Sequence, residues 1–101
     1  MMVLHIVMWN FKAEVEEDKK PAIKAAMAEN LKGLVGQVPG LLTVEFVENP
    51  ISSSTHDIAL VTTLERAEDI AVYASHPAHV HVANTYVRPY VCDRVCLDCE
   101  L

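Results

Sequence analysis

Four stretches of the chain show the alternating side chains or short apolar runs that predict β-strands. The predicted strands are residues 3–11, 41–47, 57–64 and 91–101. The first and third of these strands are apolar on both faces, whereas a strand with one face in water alternates apolar and polar residues. In the first strand the two faces carry His5, Val7, Trp9 and Phe11 on one side and Leu4, Ile6 and Met8 on the other. This pattern predicts a sheet that is covered on both faces.

Two segments between the strands have the spacing of apolar residues that predicts helices. Residues 15–35 form the first segment, in which the helix itself is expected to begin near Asp18, with Pro21 in its first turn. Residues 67–75 form the second segment, and Pro77 then opens a further helical stretch that extends to about Val87. The predicted elements therefore follow the order β-α-β-β-α-β.

This order is that of a ferredoxin-like α+β chain, with both helical regions on one face of an antiparallel sheet. No predicted element is left to cover the opposite face, although the first and third strands are apolar there as well. A second copy of the same chain is the simplest cover, and an interface of roughly 800 Å² per partner would be ordinary. The sequence therefore predicts a homodimer.

Length, charge and cysteine usage exclude several classes of protein. The 101 residues suffice for one domain, and 51% of them are hydrophobic, which is enough for a packed core. A formal net charge of −6 argues against a nucleic-acid partner and against an anionic membrane surface, since both require clustered Lys and Arg. No apolar run approaches the roughly 20 residues of a membrane span, and no signal peptide is expected. The three cysteines, an odd number within the last ten residues, indicate reduced thiols and a cytoplasmic protein.

Several motifs resemble those of the stress-responsive dimeric A/B barrel (Dabb) family. They are VLHIVMWNFK at residues 3–12, VPGLL at 38–42, YASHPAHV at 73–80 and YVRPY at 86–90. The strongest is the third, in which a His-Pro-x-His tetrad stands three residues after a tyrosine. The resemblance covers nearly the whole chain, so residues 1–101 are identified as a single Dabb domain. It implies a ferredoxin-like chain that dimerises, so that two sheets close into an α/β barrel with the helices outside.

The resemblance also implies candidate site residues. Plant polyketide cyclases of the family use histidine and tyrosine side chains in an internal pocket to catalyse an intramolecular aldol condensation of a linear polyketide. The matching positions here are His5, Tyr73 and His79. The cyclases carry another histidine at the start of the third strand, where this chain has Ile58, with His56 two residues away.

Three functions follow as expectations. The first is a homodimeric protein that binds a small apolar or aromatic molecule in an apolar pocket, without catalysis. The second is a polyketide-cyclase-like or isomerase-like enzyme that uses His79, Tyr73 and His5. The third is a monooxygenase of the same dimeric barrel fold, although the His-Pro-x-His tetrad is not the signature of those enzymes.

The candidate residues fit proton-transfer chemistry at a carbonyl compound. A neutral imidazole such as that of His79 can take a proton from the carbon beside a ketone, and the phenol of Tyr73 can donate a hydrogen bond to the resulting enolate. His5 could hold a carbonyl group. The alternative is that all three are buried polar residues satisfied by hydrogen bonds. We expect His76 to cap the helical segment that follows it and His81 to be solvated.

Metal sites are predicted to be absent from the side chains, because no carboxylate stands at ligand spacing from the histidines. Family members sometimes hold a cation on main-chain carbonyls, and the matching positions for a magnesium ion are Val35, Val38 and Leu41. The spacing of radical-SAM iron–sulfur ligands occurs in Cys92, Cys96 and Cys99. On a regular strand, however, Cys92 and Cys96 share one face and Cys99 points to the other, into the core, so no cluster and no cofactor are predicted.

Overall fold

The computed structural model describes all 101 residues and contains one four-stranded antiparallel sheet. The strands are β1 (Val3–Phe11), β2 (Leu41–Val47), β3 (Ile58–Leu64) and β4 (Val91–Glu100). The helices are α1 (Lys20–Lys32), α2 (Glu68–Ser75) and α3 (Pro77–Val82). The strands lie in the order β2-β3-β1-β4, which confirms the predicted ferredoxin-like chain. None of the helices is both long and apolar enough to cross a lipid bilayer.

Two helix boundaries differ from the predicted ones. The first helix begins at Lys20 after a short 3₁₀ turn at Glu17–Lys19, and Pro21 occupies its first turn, where no amide donor is needed. The segment after Pro77 is not one continuous α-helix. It changes at Ala83–Val87 into a π turn, closed by the amide of Arg88 donating to the carbonyl of Ala83 at 2.8 Å.

The hydrophobic core lies between the inner face of the sheet and the helices. It combines the inward-facing side chains of β1 and β3 with the buried apolar side chains of α1 and of the turn that follows α1. The members that are most deeply buried include Val3, Val7, Ile58, Leu60, Leu64, Met27, Leu31 and Leu34. This packing leaves the odd-numbered residues of β1, His5 among them, on the side of the helices.

The outer face of the sheet is apolar and has no covering element. It carries the outward-facing residues of β1, β3 and β4, which are Leu4, Ile6, Met8, Ala59, Val61, Val95 and Leu97. Leu97 is 61% exposed and Val95 is 42% exposed, although both are large and hydrophobic. The sequence-based expectation of an uncovered second apolar face is therefore confirmed.

A β-bulge in β4 changes which face its cysteines occupy. The pairing with β1 shifts by one residue between Met8 and Asn10, and Asp93 has a positive φ of 55° at this point. Cys92 consequently pairs with Asn10 on the outer face, whereas Cys96 lies on the side of the helices. The predicted arrangement, with Cys92 and Cys96 together and Cys99 in the core, is wrong, because it assumed an unbroken alternation. Cys99 is exposed on the outer face of this chain.

Candidate functional site

A cavity of about 300 Å³ opens between the inner face of β1 and β4 and the helices. Its walls are mostly apolar, with a few polar groups on one side, and its volume is at the lower end of the range for small-molecule sites. The lining residues are His5, Val7, Trp9, Leu31, Leu60, Ile70, Tyr73, Ala74, His79, Ala83, Val87, Arg88, Arg94, Cys96 and Asp98. His5, Tyr73 and His79, the three residues proposed from the sequence, therefore lie around one cavity.

The rings of these three residues are close together. Tyr73 and His79 are stacked at a tilt of 44°, with 4.2 Å between their centroids. His5 meets Tyr73 edge to face at 6.1 Å. Tyr73 comes from the last turns of α2 and His79 from the first turn of α3, so the break at Pro77 brings their rings together.

His79 is held in one tautomer by the backbone. Its Nδ1 lies 3.1 Å from the carbonyl of Ala74, and a carbonyl can only accept, so Nδ1 carries the proton. The neutral ring therefore keeps a free lone pair on Nε2. Burial is the main cause that lowers the pKa of His79, and the positive charges of Arg88 and Arg94 act in the same direction. The hydrogen bond to Ala74 opposes these effects without overcoming them. The result is a neutral imidazole that can accept a proton or a hydrogen bond.

We expect His79 to titrate below the ordinary imidazole pKa of about 6.5. A pKa that is lower in the folded than in the unfolded state makes protonation unfavourable for folding. The contribution of His79 to stability is then complete above about pH 6.5 and is lost as the pH falls towards the folded pKa. An NMR titration of the imidazole signals, assigned with His79→Gln, measures this directly. A midpoint at or above 6.5 would contradict the described environment.

Tyr73 carries a buried hydroxyl group that has no hydrogen-bond partner. The residue is only 2% exposed, and burial raises the pKa of its phenol to about 12. The hydroxyl therefore keeps its proton at neutral pH and is a donor without an acceptor. Leaving such a group unsatisfied costs about 1–3 kcal/mol, so a ligand that accepts this hydrogen bond would recover that free energy.

His5 is paired with the carboxylate of Asp98 on the neighbouring strand. Its Nδ1 is hydrogen-bonded to Oδ1 of Asp98, which fixes the orientation of the imidazole ring. Thr62, opposite His5 on β3, is fully buried and donates its hydroxyl to the carbonyl of His5 at 3.1 Å. Cys96, two residues before Asp98, places its sulfur 3.7 Å from Nδ1 of His5. His5 is therefore oriented by both of its neighbouring strands.

Asp98, Cys96 and Arg94 line the cavity but were not predicted from the sequence as site residues. Asp98 is separated from His5 by 93 positions, and only the antiparallel register of β1 and β4 makes the two residues direct neighbours. The alternation of side chains in β4 places these three residues on one face. Once β1 is known to be the strand that pairs with β4, this pattern indicates that they lie near His5. The prediction that no carboxylate approaches the histidines is wrong for this reason.

The remaining histidines lie outside the cavity lining. His76 is the N-cap of α3, since its Nδ1 accepts the amide of Ala78 at 3.1 Å, and His81 is exposed; both expectations are confirmed. His56 lies in the loop before β3, with its Nδ1 2.9 Å from the hydroxyl of Thr55, and lines a separate surface depression. Ile58 is buried in the core. The structure thus places no histidine at the third-strand position of the cyclases.

The main-chain carbonyls proposed for magnesium lie in the turn between α1 and β2. The carbonyl of Val38 accepts the amide of Leu41 at 3.3 Å, so one of the three proposed ligands already closes the turn. The other two belong to Val35, which is 42% exposed, and to Leu41, the first residue of β2. The magnesium site therefore stays a prediction.

Comparison with known proteins places the chain in a family by sequence and gives its fold relatives by structure. The family model described as Stress Responsive A/B Barrel Domain matches residues 3–101. No curated protein matches the chain significantly. A solved structure from Bacteroides fragilis, described as a dimeric protein of unknown function with a ferredoxin-like fold, is 26% identical, with a TM-score of 0.89. The similarity covers 99% of this chain and 96% of that one.

Two structures of the same fold have names that refer to enzymes. One is the hydroxynitrile lyase of Passiflora edulis, which is 15% identical, with a TM-score of 0.70 and coverage of 99% of this chain and 93% of that one. The other is a Nitrosomonas europaea protein whose name refers to an antibiotic biosynthesis monooxygenase; it is 17% identical, with a TM-score of 0.73 and coverage of 99% and 89%. At these identities the likeness concerns the fold alone. Other solved structures of this fold are also described as dimeric ferredoxin-like proteins.

Proposed function

Because the chain belongs to the stress responsive A/B barrel (Dabb) family, we propose that it functions as a homodimer that binds a small carbonyl compound in the cavity of each subunit. The observation that carries this proposal is that Tyr73, one of the residues that line the cavity, has a buried hydroxyl group with no acceptor in the protein. Folded proteins rarely leave a buried donor unsatisfied, so such a group in a cavity wall indicates a ligand that accepts its hydrogen bond. A carbonyl oxygen is the simplest acceptor of this kind.

The rest of the cavity supports an apolar molecule with one polar end. Val7, Trp9, Leu60 and Ile70 offer an apolar surface, while the imidazole groups stand beside Tyr73. Arg88 and Arg94 also line the cavity, whereas its only carboxylate, on Asp98, is engaged by His5. This balance favours a neutral or anionic ligand over a cationic one.

The test uses acetophenone as the probe and ethylbenzene, which has the same carbon skeleton without the carbonyl oxygen, as the matched compound. Trp9 is the only tryptophan of the chain and lines the cavity, so its indole N–H signal in an NMR spectrum reports occupancy without ambiguity. We expect acetophenone to shift this signal at lower concentration than ethylbenzene does.

Replacing Tyr73 with phenylalanine should have opposite effects on stability and on binding. The free protein should become more stable by about 1 kcal/mol, because the unsatisfied hydroxyl is removed from a buried site. Acetophenone should bind about tenfold more weakly, which corresponds to one lost hydrogen bond of about 1.4 kcal/mol, while ethylbenzene binding should not change. Urea unfolding and the Trp9 titration measure the two effects. A destabilised variant, or one that still prefers acetophenone, would show that Tyr73 plays only a structural part.

A second candidate function, a proton-transfer enzyme of the cyclase or isomerase kind, is favoured by the state of His79. In this reaction the free Nε2 of His79 takes a proton from the carbon beside the bound carbonyl, and the electrons of that C–H bond form the enolate. The enolate oxygen accepts a hydrogen bond from Tyr73. The enolate carbon then attacks a second carbonyl in an aldol condensation, or is reprotonated at another position in an isomerisation.

The proton-transfer function has better support from the cavity than the monooxygenase alternative. The polar side chains that line the cavity include imidazole, phenol and carboxylate groups, which are acid–base groups. Proteins with the same fold include one named as a hydroxynitrile lyase from Passiflora edulis and one from Nitrosomonas europaea whose name refers to a monooxygenase. The monooxygenase therefore stays an alternative that rests on the fold, whereas proton transfer rests on the residues of this chain.

A further inference from the structure

Three different metal-binding side chains meet at the β1–β4 side of the cavity. Nδ1 of His5, the sulfur of Cys96 and a carboxylate oxygen of Asp98 all lie within 4.8 Å of one another. His5 and Asp98 are direct cross-strand partners, and Cys96 lies two residues before Asp98 on the same face of β4. Side chains in these relative positions on paired strands project in the same direction, so the sheet itself holds them together.

The separations fit a tetrahedral zinc ion. Zinc bonds of about 2.3 Å to sulfur and about 2.0 Å to nitrogen or oxygen, set at tetrahedral angles, place sulfur roughly 3.5 Å from each of the other two ligands. The sulfur of Cys96 lies 3.7 Å from Nδ1 of His5 and 3.6 Å from Oδ1 of Asp98. Only the hydrogen-bonded His5–Asp98 pair has to open when an ion enters between them.

We propose that His5, Cys96 and Asp98 form a zinc site with its fourth coordination position directed into the cavity. On binding, Cys96 loses its thiol proton to solvent, and His5 moves its proton from Nδ1 to Nε2 so that Nδ1 can coordinate. Zn²⁺ takes the place of the hydrogen between His5 and Asp98. No oxidation or reduction is involved.

The donor set points to zinc rather than to a hard cation. One imidazole nitrogen, one thiolate and one carboxylate form a borderline-soft set, whereas magnesium and calcium take oxygen ligands almost alone. Three protein ligands with one open position are the pattern of zinc sites that bind water or substrate. All three ligands line the cavity, so a ligand carbonyl beside Tyr73 could reach the metal as well. The inference goes beyond the proposed function and does not depend on it, since the metal can bind without acetophenone.

Cobalt is a spectroscopic probe for this site because Co²⁺ takes the same ligands as Zn²⁺ and absorbs light. Titration of the purified full chain with Co²⁺ should produce visible d–d bands of tetrahedral cobalt and a near-ultraviolet thiolate-to-cobalt charge-transfer band, at one ion per chain. Addition of Zn²⁺ should abolish both. Absence of these bands, or bands typical of octahedral cobalt without thiolate, would overturn the proposal.

Two variants and one control connect the signal to these residues. Cys96→Ser should remove the charge-transfer band, and Asp98→Asn should weaken Zn²⁺ binding by at least about tenfold, since even residues that only orient a zinc ligand contribute about 10–100-fold. Cys99→Ser changes an exposed cysteine on the opposite face of β4 and should leave the spectrum unchanged. If the band survives Cys96→Ser, or is lost equally in Cys99→Ser, the site assigned here does not exist.

Discussion

Replacing His79 with glutamine should slow the exchange of the methyl protons of acetophenone for deuterium by about 100-fold or more. The wild-type chain, by contrast, is expected to accelerate this exchange. Glutamine has a similar size and can still hydrogen-bond, but it cannot take up a proton at neutral pH. Exchange is followed by NMR in D₂O, which detects abstraction of the proton without knowledge of the natural substrate. Binding of acetophenone, measured with the Trp9 signal, should change much less than the rate.

His81→Gln is the matched control for this prediction. His81 stands on the same short helix, two residues from His79, but is exposed and lies outside the cavity lining. Its replacement should leave exchange at the wild-type rate. A wild-type protein that binds acetophenone without accelerating exchange would refute the enzyme function and leave the binding function standing. Equal loss in both variants would show that His79 has no special part.

Replacing Leu97 with aspartate should weaken dimerisation by more than about 100-fold. Leu97 is 61% exposed on the outer face of the sheet, so the folded single chain tolerates a charge there. In the proposed homodimer the same position is covered by the partner sheet, where an unpaired buried carboxylate costs about 3–5 kcal/mol. Sedimentation at micromolar concentration should show twice 11.2 kDa for the wild type and 11.2 kDa for the variant.

Val72→Asp separates the effect of the interface from that of added charge. Val72 is 43% exposed and lies on α2, on the opposite side of the sheet from the outer face. The Val72→Asp substitution adds the same carboxylate group at an exposed position, and this variant should remain dimeric. A wild-type chain that sediments as a monomer, or two variants that dissociate equally, would contradict the proposed use of the outer face.

The two faces of β4 connect dimerisation with the site. Leu97 stands between Cys96 and Asp98, so residues of the proposed interface alternate with residues that line the cavity. β4 is an edge strand that pairs only with β1, and nearly all of its residues are exposed in the single chain. In the proposed dimer, the partner sheet packs on the outer face of β4. This contact would order the strand and, with it, the side chains of β4 that contact His5. Loss of dimerisation is therefore expected to weaken binding of the probe as well.

The sequence by itself determined the order of the elements and most of their boundaries. β2 begins and ends where the alternation of apolar and polar residues predicts, because an extended chain with one buried face leaves a period of two in the sequence. β1 begins and ends where its run of apolar residues predicts. The doubly apolar first strand also predicted the uncovered outer face. His76 was predicted as a helix cap since it precedes Pro77, which allows a helix to begin but not to continue through it. Each of these features depends on residues close together in the chain.

Only the tertiary structure decided which polar groups share a site. His5 meets Asp98 and Cys96 through the register of two strands from opposite ends of the chain, and a register cannot be read from either strand alone. The bulge at Asp93 is likewise a property of the pairing, and it reversed the predicted face of Cys92 relative to Cys96. The missing partner of the Tyr73 hydroxyl also appears only after packing, since burial and the absence of an acceptor are set by all the neighbouring elements together.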